Sequence, residues 1–291
     1  MANSIAKFKK YIDLLDEVYK NASKTSVLDG DSTLVRAGAN ANEIIVPKMS
    51  LDGLADYSRN SGYVNGDVTL TNETVAFNYD RGRAFTVDAM DNEETAGVAF
   101  GKLSSEFIRT KVVPEVDAFR FATYAGISGI SKATAGTISS GNDALTALVT
   151  AVSKMDDDEV DAEGRYLFIT PTIYNLLMNV DTTKSKEIMS RFAGIVTVPQ
   201  SRFYTAIDLN DGTTSGEEAG GYAKASAGKD INFMIIQKGA LLQYPKHIVN
   251  KIITPEENQT SDGWKFFYRE YGLADVYDNK VAGIYLHNKA E

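Results

Sequence analysis

The chain has 291 residues, a net charge of −9 and no cysteine, with 43% apolar and 24% charged residues. That composition excludes wholesale disorder, a disulfide framework, a thiolate metal site and sequence-wide electrostatic capture of nucleic acid. No run approaches the roughly 18 apolar residues of a membrane helix, and no signal-peptide core precedes Lys9 and Lys10, so a soluble chain kept in a cytoplasm is expected.

Residues 4–20 place Ile5, Phe8, Ile12, Leu15 and Val18 on one helical face. Residues 21–41, rich in Asn, Ser, Thr, Gly and Ala, read as an extended arm. A short strand, Ile44 to Val46, stops at Pro47, and 49–66 reads as a loop with Tyr57 and Tyr63 as aromatic anchors. Val68, Leu70, Val75, Phe77, Tyr79, Phe85 and Val87 then follow a period of two. The pattern predicts strands at 68–71 and 74–88 that pair around Asn72 and Glu73. At Asp91 the period becomes helical, with Glu93 and Glu94 in the favourable first turn. Pro114 should push Val113 out of helical geometry and kink or restart the helix. A hairpin and helix this long have little local sequence to pack on. The alternation therefore suggests an arm whose buried face comes from another copy of the chain.

Residues 126–141 are the most linker-like stretch and suggest a domain boundary. Beyond it, Asn142 is expected to cap a helix bearing Leu145, Leu148, Val152 and Met155. A buried strand follows at 166–170, then a helix opened by Pro171 and a strand at 195–198, which together describe an α/β lobe. Residues 210–228 should form a mobile loop, and the tail should be strands at 231–237, 248–253, 265–271 and 281–287.

Chemistry-bearing motifs are absent: no phosphate loop, dinucleotide fingerprint, zincin helix or nucleophile elbow occurs. The acidic run from Asp156 to Glu163 lacks the glycine of a calcium loop and reads as a solvated helix end. His247 or His287 beside Asp275 or Glu270 is a weak candidate base. Catalytic, cofactor-binding and metal residues are accordingly assigned as none. The candidate contacts between copies are Val75, Phe77, Tyr79, Arg81, Arg83 and Phe85.

The run from Asp80 to Asp88 (Asp-Arg-Gly-Arg-Ala-Phe-Thr-Val-Asp), Phe107 to Thr110 and Val113 to Arg120 resembles the major capsid proteins of tailed bacteriophages and prophages. Gly164 to Pro171, Val198-Pro199 with Ser201 to Phe203, Ile231 to Phe233, Tyr268 to Tyr271 and Asp278 to Lys280 continue the resemblance in order. It implies an α+β fold of the HK97 type, with an N-terminal arm at 1–40 and an extended β-hairpin loop at 41–90. A peripheral domain with a long spine helix would span 91–137 and 246–291, and an α/β axial domain 138–245. The resemblance further implies hexamers and pentamers that close into a virion shell around double-stranded DNA, without sequence-specific binding. Assembly would occur in the host bacterial cytoplasm with a portal protein. The chain leaves no room for a cleaved scaffolding segment, so either a separate scaffolding protein is expected or the 4–20 helix takes a small part of that role. Residues 49–80 hold no lysine, so no Lys–Asn crosslink from the loop is expected. The rival readings are an encapsulin-like nanocompartment shell, a β-rich surface-binding domain and an enzyme built on the 138–205 lobe.

Overall fold

A computed structural model describes residues 23–30, 36–37, 43–94, 98–180 and 183–290. The helix expected at 4–20, and most of the lead-in after it, lie outside these residues.

The densest part is a five-stranded sheet, in the order Ser131–Lys132, Ile284–Asn288, Ile231–Gln237, Arg165–Ile169, Gly194–Thr197. Its central strand, Ile-Asn-Phe-Met-Ile-Ile-Gln, is apolar on both faces because both faces are covered. On one side lie the helices Gly141–Asp157, Pro171–Met178 and Thr183–Ser190, which bury Leu148, Met155, Leu177 and Ile188 against Leu167, Phe233 and Ile235. On the other side Phe121 and Tyr124, from the end of the long helix, meet Phe168, Met234 and Leu286. The helix at 141 is capped by Ser140 rather than Asn142. The Ser140 hydroxyl accepts from the Asp143 amide at 3.2 Å, and the Asp143 carboxylate accepts from the Ser140 amide at 3.0 Å, a reciprocal capping box. Gly141 opens the helix where a Cβ would collide with Val180 and the Leu176 carbonyl.

The second sheet joins Leu241–Ile253, Gly263–Val276 and Tyr79–Asp88, all antiparallel. The long helix lies on it, with Ile108, Val112, Val113 and Val116 packed onto Tyr79, Phe266 and Tyr268. Its described part runs as Val98–Phe107, a π-helical turn Ile108–Val112 and Val113–Gly126, and a short helix, Ala89–Glu94, lies before it in sequence. Val113 keeps helical angles (φ −59°, ψ −46°), contrary to the expected break. The interruption is absorbed one turn earlier. The Val113 amide donates to the Ile108 carbonyl, five residues back, and the widened turn accommodates a proline that has no N–H to give.

Two pairings differ from those expected. Val68–Ala76 runs straight through Asn72 and Glu73 and pairs with Glu43–Leu51, from Leu51 opposite Val68 to Glu43 opposite Ala76. Tyr79–Asp88 belongs to the second sheet, opposite Gly263–Gly272. A period of two identifies a strand but does not name its partner, and the change of sheet falls at Phe77 and Asn78. There the Asn78 side chain donates to the Ala274 carbonyl at 2.8 Å and accepts from its amide at 3.1 Å, standing in for a ladder pair. The last strand, Ile284–Asn288, also leaves the preceding tail strands to join Ile231–Gln237.

Candidate assembly surface

Among the described residues, the hairpin Glu43–Leu51/Val68–Ala76 is anchored at its root. Ile44, Val46 and Val75 are buried against Leu242, Tyr244 and Leu273 of the second sheet. From Met49 outward the strands leave the body. Each strand has nine residues, roughly 30 Å at about 3.3 Å per residue with the root included. Among the described residues, eight of the twelve exposed large apolar side chains sit here: Met49, Leu51, Leu54, Tyr57, Tyr63, Val64, Val68 and Leu70. Single exposed hydrophobics are ordinary, but a contiguous set of this kind marks an interaction surface.

The tip is built rather than loose. The Ser58 and Gly62 backbones exchange hydrogen bonds at 3.2 and 2.8 Å, and Gly62 takes φ +77°, which a residue with a Cβ adopts at a cost. The Ser58 hydroxyl accepts from the Asn60 and Ser61 amides. This turn holds the Tyr57 and Tyr63 rings with centroids 4.8 Å apart. Tyr63 remains 87% exposed, so the ring pair is ordered yet uncovered.

The six residues singled out from the sequence fall elsewhere, and each has a contact within the chain. Val75 is in the hairpin root. Phe77 stacks 4.9 Å from Tyr271, with the Lys246 ammonium 4.5 Å from its ring. Tyr79 is buried, its hydroxyl donating to Glu115 at 3.2 Å; burial first, and the Glu115 charge second, push that hydroxyl well above its ordinary pKa. Arg81 donates through Nε to Glu115 at 2.8 Å and through Nη2 to the Gly221 carbonyl at 3.2 Å. Arg83 donates to the Glu218 carbonyl at 3.0 Å. Phe85 packs edge-on to Phe107, 4.8 Å away.

The arginines thus reach the loop expected to be mobile. Its ends pair as Ile207–Leu209 with Tyr222–Lys224, and its Asp211 accepts from the Thr213 and Thr214 amides at 2.7 Å. Between this loop, the second sheet and the long helix lies an open groove of about 730 Å³. Phe85, Leu103 and Phe107 are among its apolar lining, with Arg83, Lys111 and Asp211 among the charged groups.

The other sequence candidates do not converge. His247 sits opposite Tyr271 in the second sheet, whereas His287 lies in the five-stranded sheet, its Nδ1 3.0 Å from the Asn232 amide nitrogen. Burial lowers the His287 pKa. In the acidic run, Asp156 is held between Arg165 and Arg191, 2.7 Å from each, and Asp158 pairs with Lys154. Among the described residues no group of acidic or histidine side chains is placed to hold a metal ion. The signal that sequence reading missed was the recurrence of large apolar residues (Leu51, Leu54, Tyr57, Tyr63, Val64) within an Asp-, Ser- and Gly-rich loop.

No family model matches the sequence, and no curated protein matches it. Solved structures do match its fold. A structure from Gordonia phage Cozz aligns over 92% of this chain and 87% of that one, with TM-score 0.59 and 11% identity. The capsid structure of cyanophage P-SCSP1u aligns over 88% and 86%, with TM-score 0.55 and 14% identity. The virus-like particle from Pyrococcus furiosus aligns over 95% and 99%, with TM-score 0.58 and 12% identity. The chain therefore has the α+β HK97-type capsid fold. The likeness extends over nearly the whole chain.

Proposed function

We propose that this chain is the structural subunit of a phage-type head, a major capsid protein that self-assembles into the shell around double-stranded DNA. The observation that carries this reading is the projecting hairpin, whose ordered apolar tip is left uncovered by the described residues of its own chain. A second copy supplies the missing cover. Head-to-tail contacts of that kind close into rings and then cages. The groove beside the spine helix, with Phe85, Leu103 and Phe107, is the proposed seat for a neighbour's hairpin. Apolar area buried there contributes on the order of 25 cal/mol per Å², and Arg83 and Lys111 at its rim set register more than strength.

On this reading residues 1–40 are the arm, 41–90 the extended loop, 91–137 and 246–291 the peripheral domain, and 138–245 the axial domain. Tyr79–Asp88 pairs with strands of the proposed peripheral domain, and Ile284–Asn288 with a strand of the proposed axial domain. Hexamers and pentamers, a separate scaffolding protein and a portal complete the proposed assembly, which forms in the host cytoplasm and ends as the virion shell. The subunit's part is structural rather than enzymatic.

Negative-stain electron microscopy beside sedimentation velocity tests the proposal. Closed shells, hexamers or pentamers are expected, with packed DNA in native particles. Shells that enclose protein cargo and no DNA would move the assignment to a nanocompartment. A monomer unchanged by concentration or by a co-expressed scaffolding protein would overturn it.

A further inference from the structure

The segment 23–30 belongs to none of the sheets, yet it lands on a buried polar cluster centred on the spine helix. Asp117, in the middle of the spine helix, is fully buried. The Ser23 and Thr25 hydroxyls each donate to its Oδ1 at 2.8 Å, the Thr25 amide at 3.1 Å, and the Lys24 amide reaches Oδ2 at 2.9 Å. Arg202, from the turn Gln200–Arg202 of the α/β lobe, lies 3.3 Å from the same Oδ2. One turn along the helix, buried Arg120 donates to the Thr25 hydroxyl at 2.9 Å and stands 3.5 Å from Asp29. Gln243 in the second sheet donates to the Thr25 carbonyl at 2.8 Å and to Asp29 at 2.7 Å, and accepts from the Tyr124 hydroxyl at 2.6 Å. Leu28 then enters the apolar core beside Phe121, Phe168 and Phe203.

Of these five donors to Asp117, four come from the segment and one from the lobe. We propose that residues 23–30 are a clasp whose seating sets how the α/β lobe docks on the spine helix, with Asp117 as the shared positioning residue. The physical reason is that a carboxylate in an apolar core does not tolerate losing its partners. When the clasp is seated, its hydroxyls and amides share Asp117 with Arg202, and Arg120 is turned toward Thr25 and Asp29. When it is unseated, Asp117 keeps only Arg202 of this set, and the lobe turn loses the fixed carboxylate against which it docks.

Thr25→Val tests it, because the change removes one hydroxyl from the clasp, keeps its shape and leaves both lobe and helix sequences intact. Hydrogen–deuterium exchange of the full chain is compared with the wild type, with urea denaturation confirming that the variant folds. The Arg202 and Phe203 amides, bonded to the Pro199 and Gln200 carbonyls at 3.0 Å, report the lobe turn, and the hairpin strand 43–51 serves as control. Exchange about tenfold faster at both 23–30 and 200–205, with 43–51 unchanged, is expected. Asp117→Asn should accelerate the same two segments. Faster exchange at 23–30 with 200–205 unchanged would make the segment a passive tether and overturn the proposal, as would no change at either segment in both variants.

Discussion

Two strands of similar length meet opposite fates in this molecule. Ile231–Gln237 is buried along almost its whole length, whereas Val68–Ala76 buries one residue, Val75, and exposes Val68 and Leu70. Both carry β-forming, apolar residues, and the difference lies in what the chain itself supplies to cover them. The central strand has helices on both faces. The hairpin strand has its partner strand and, beyond the root, nothing else among the described residues. A surface that is folded, apolar and uncovered has its partner elsewhere than among the described residues, and that contrast can be tested from both sides.

The largest effect should come from replacing residues 52–67 with a two-residue turn. The lobe is expected to stay folded while closed shells disappear in electron micrographs; shells of normal size would mean that the tip is not the assembly arm. On the other side of the contrast, Phe233→Ala should destabilise the dissociated subunit by about 3–5 kcal/mol, because the ring is fully enclosed in the lobe core. Urea titration measures this, and a cost below 1 kcal/mol would contradict such close packing. Leu54→Asp combines both tests. It should leave subunit stability within about 0.5 kcal/mol while raising the assembly threshold concentration about tenfold, read by sedimentation.

Arg81→Ala should cost about 1–2 kcal/mol, since Glu115, with 11% of its side chain exposed, loses a charged partner at 2.8 Å. An unchanged denaturation midpoint would place Arg81 outside the chain's own packing and return it to the contact between copies.

The smallest effect is a divergence with pH. His287 in the lobe has a lowered pKa through burial, so its contribution is present above its ordinary value of 6.5 and is lost as pH falls through the lower folded value. Asp156 is held below the ordinary carboxylate range, first by its bond to Arg165, so its contribution is likewise lost on acidification, at lower pH. At the hairpin root the sign reverses. Glu73 is raised by burial and then by Asp278, with Asp275 adding to the rise and Lys48 opposing it. Asp275 is itself raised by burial. Raised carboxylates contribute fully below their unfolded values and lose that contribution as pH rises through their folded values. Acidification from pH 7 toward 4 is expected to speed relative amide exchange in the lobe strands while protecting the hairpin root. Parallel changes in both regions would remove the distinction.

The elements themselves were legible in the amino-acid order. Alternation from Val68 to Val87 announced strands, Pro171 opened its helix, and Ile231 to Gln237 was bounded to the residue, because these signals are carried by neighbours a few positions apart. The motif order pointed to a capsid fold, and the solved structures share that fold. Partnership was not legible. One continuous alternating pattern is split between two sheets at Asn78, a change visible only once Ala274 is beside it. Val75, Tyr79 and Arg81, read as contacts for another subunit, also have partners within their own chain in Leu242, Glu115 and the Gly221 carbonyl, all distant in sequence. The exposed tip was likewise hidden, since a tyrosine in a polar loop reads the same whether it is covered or bare. Sequence determined which segments are strand, helix or turn, through periodicity and backbone chemistry that act locally. Tertiary structure decided which strands meet and which apolar residues remain uncovered, because those outcomes depend on contacts between residues far apart along the chain.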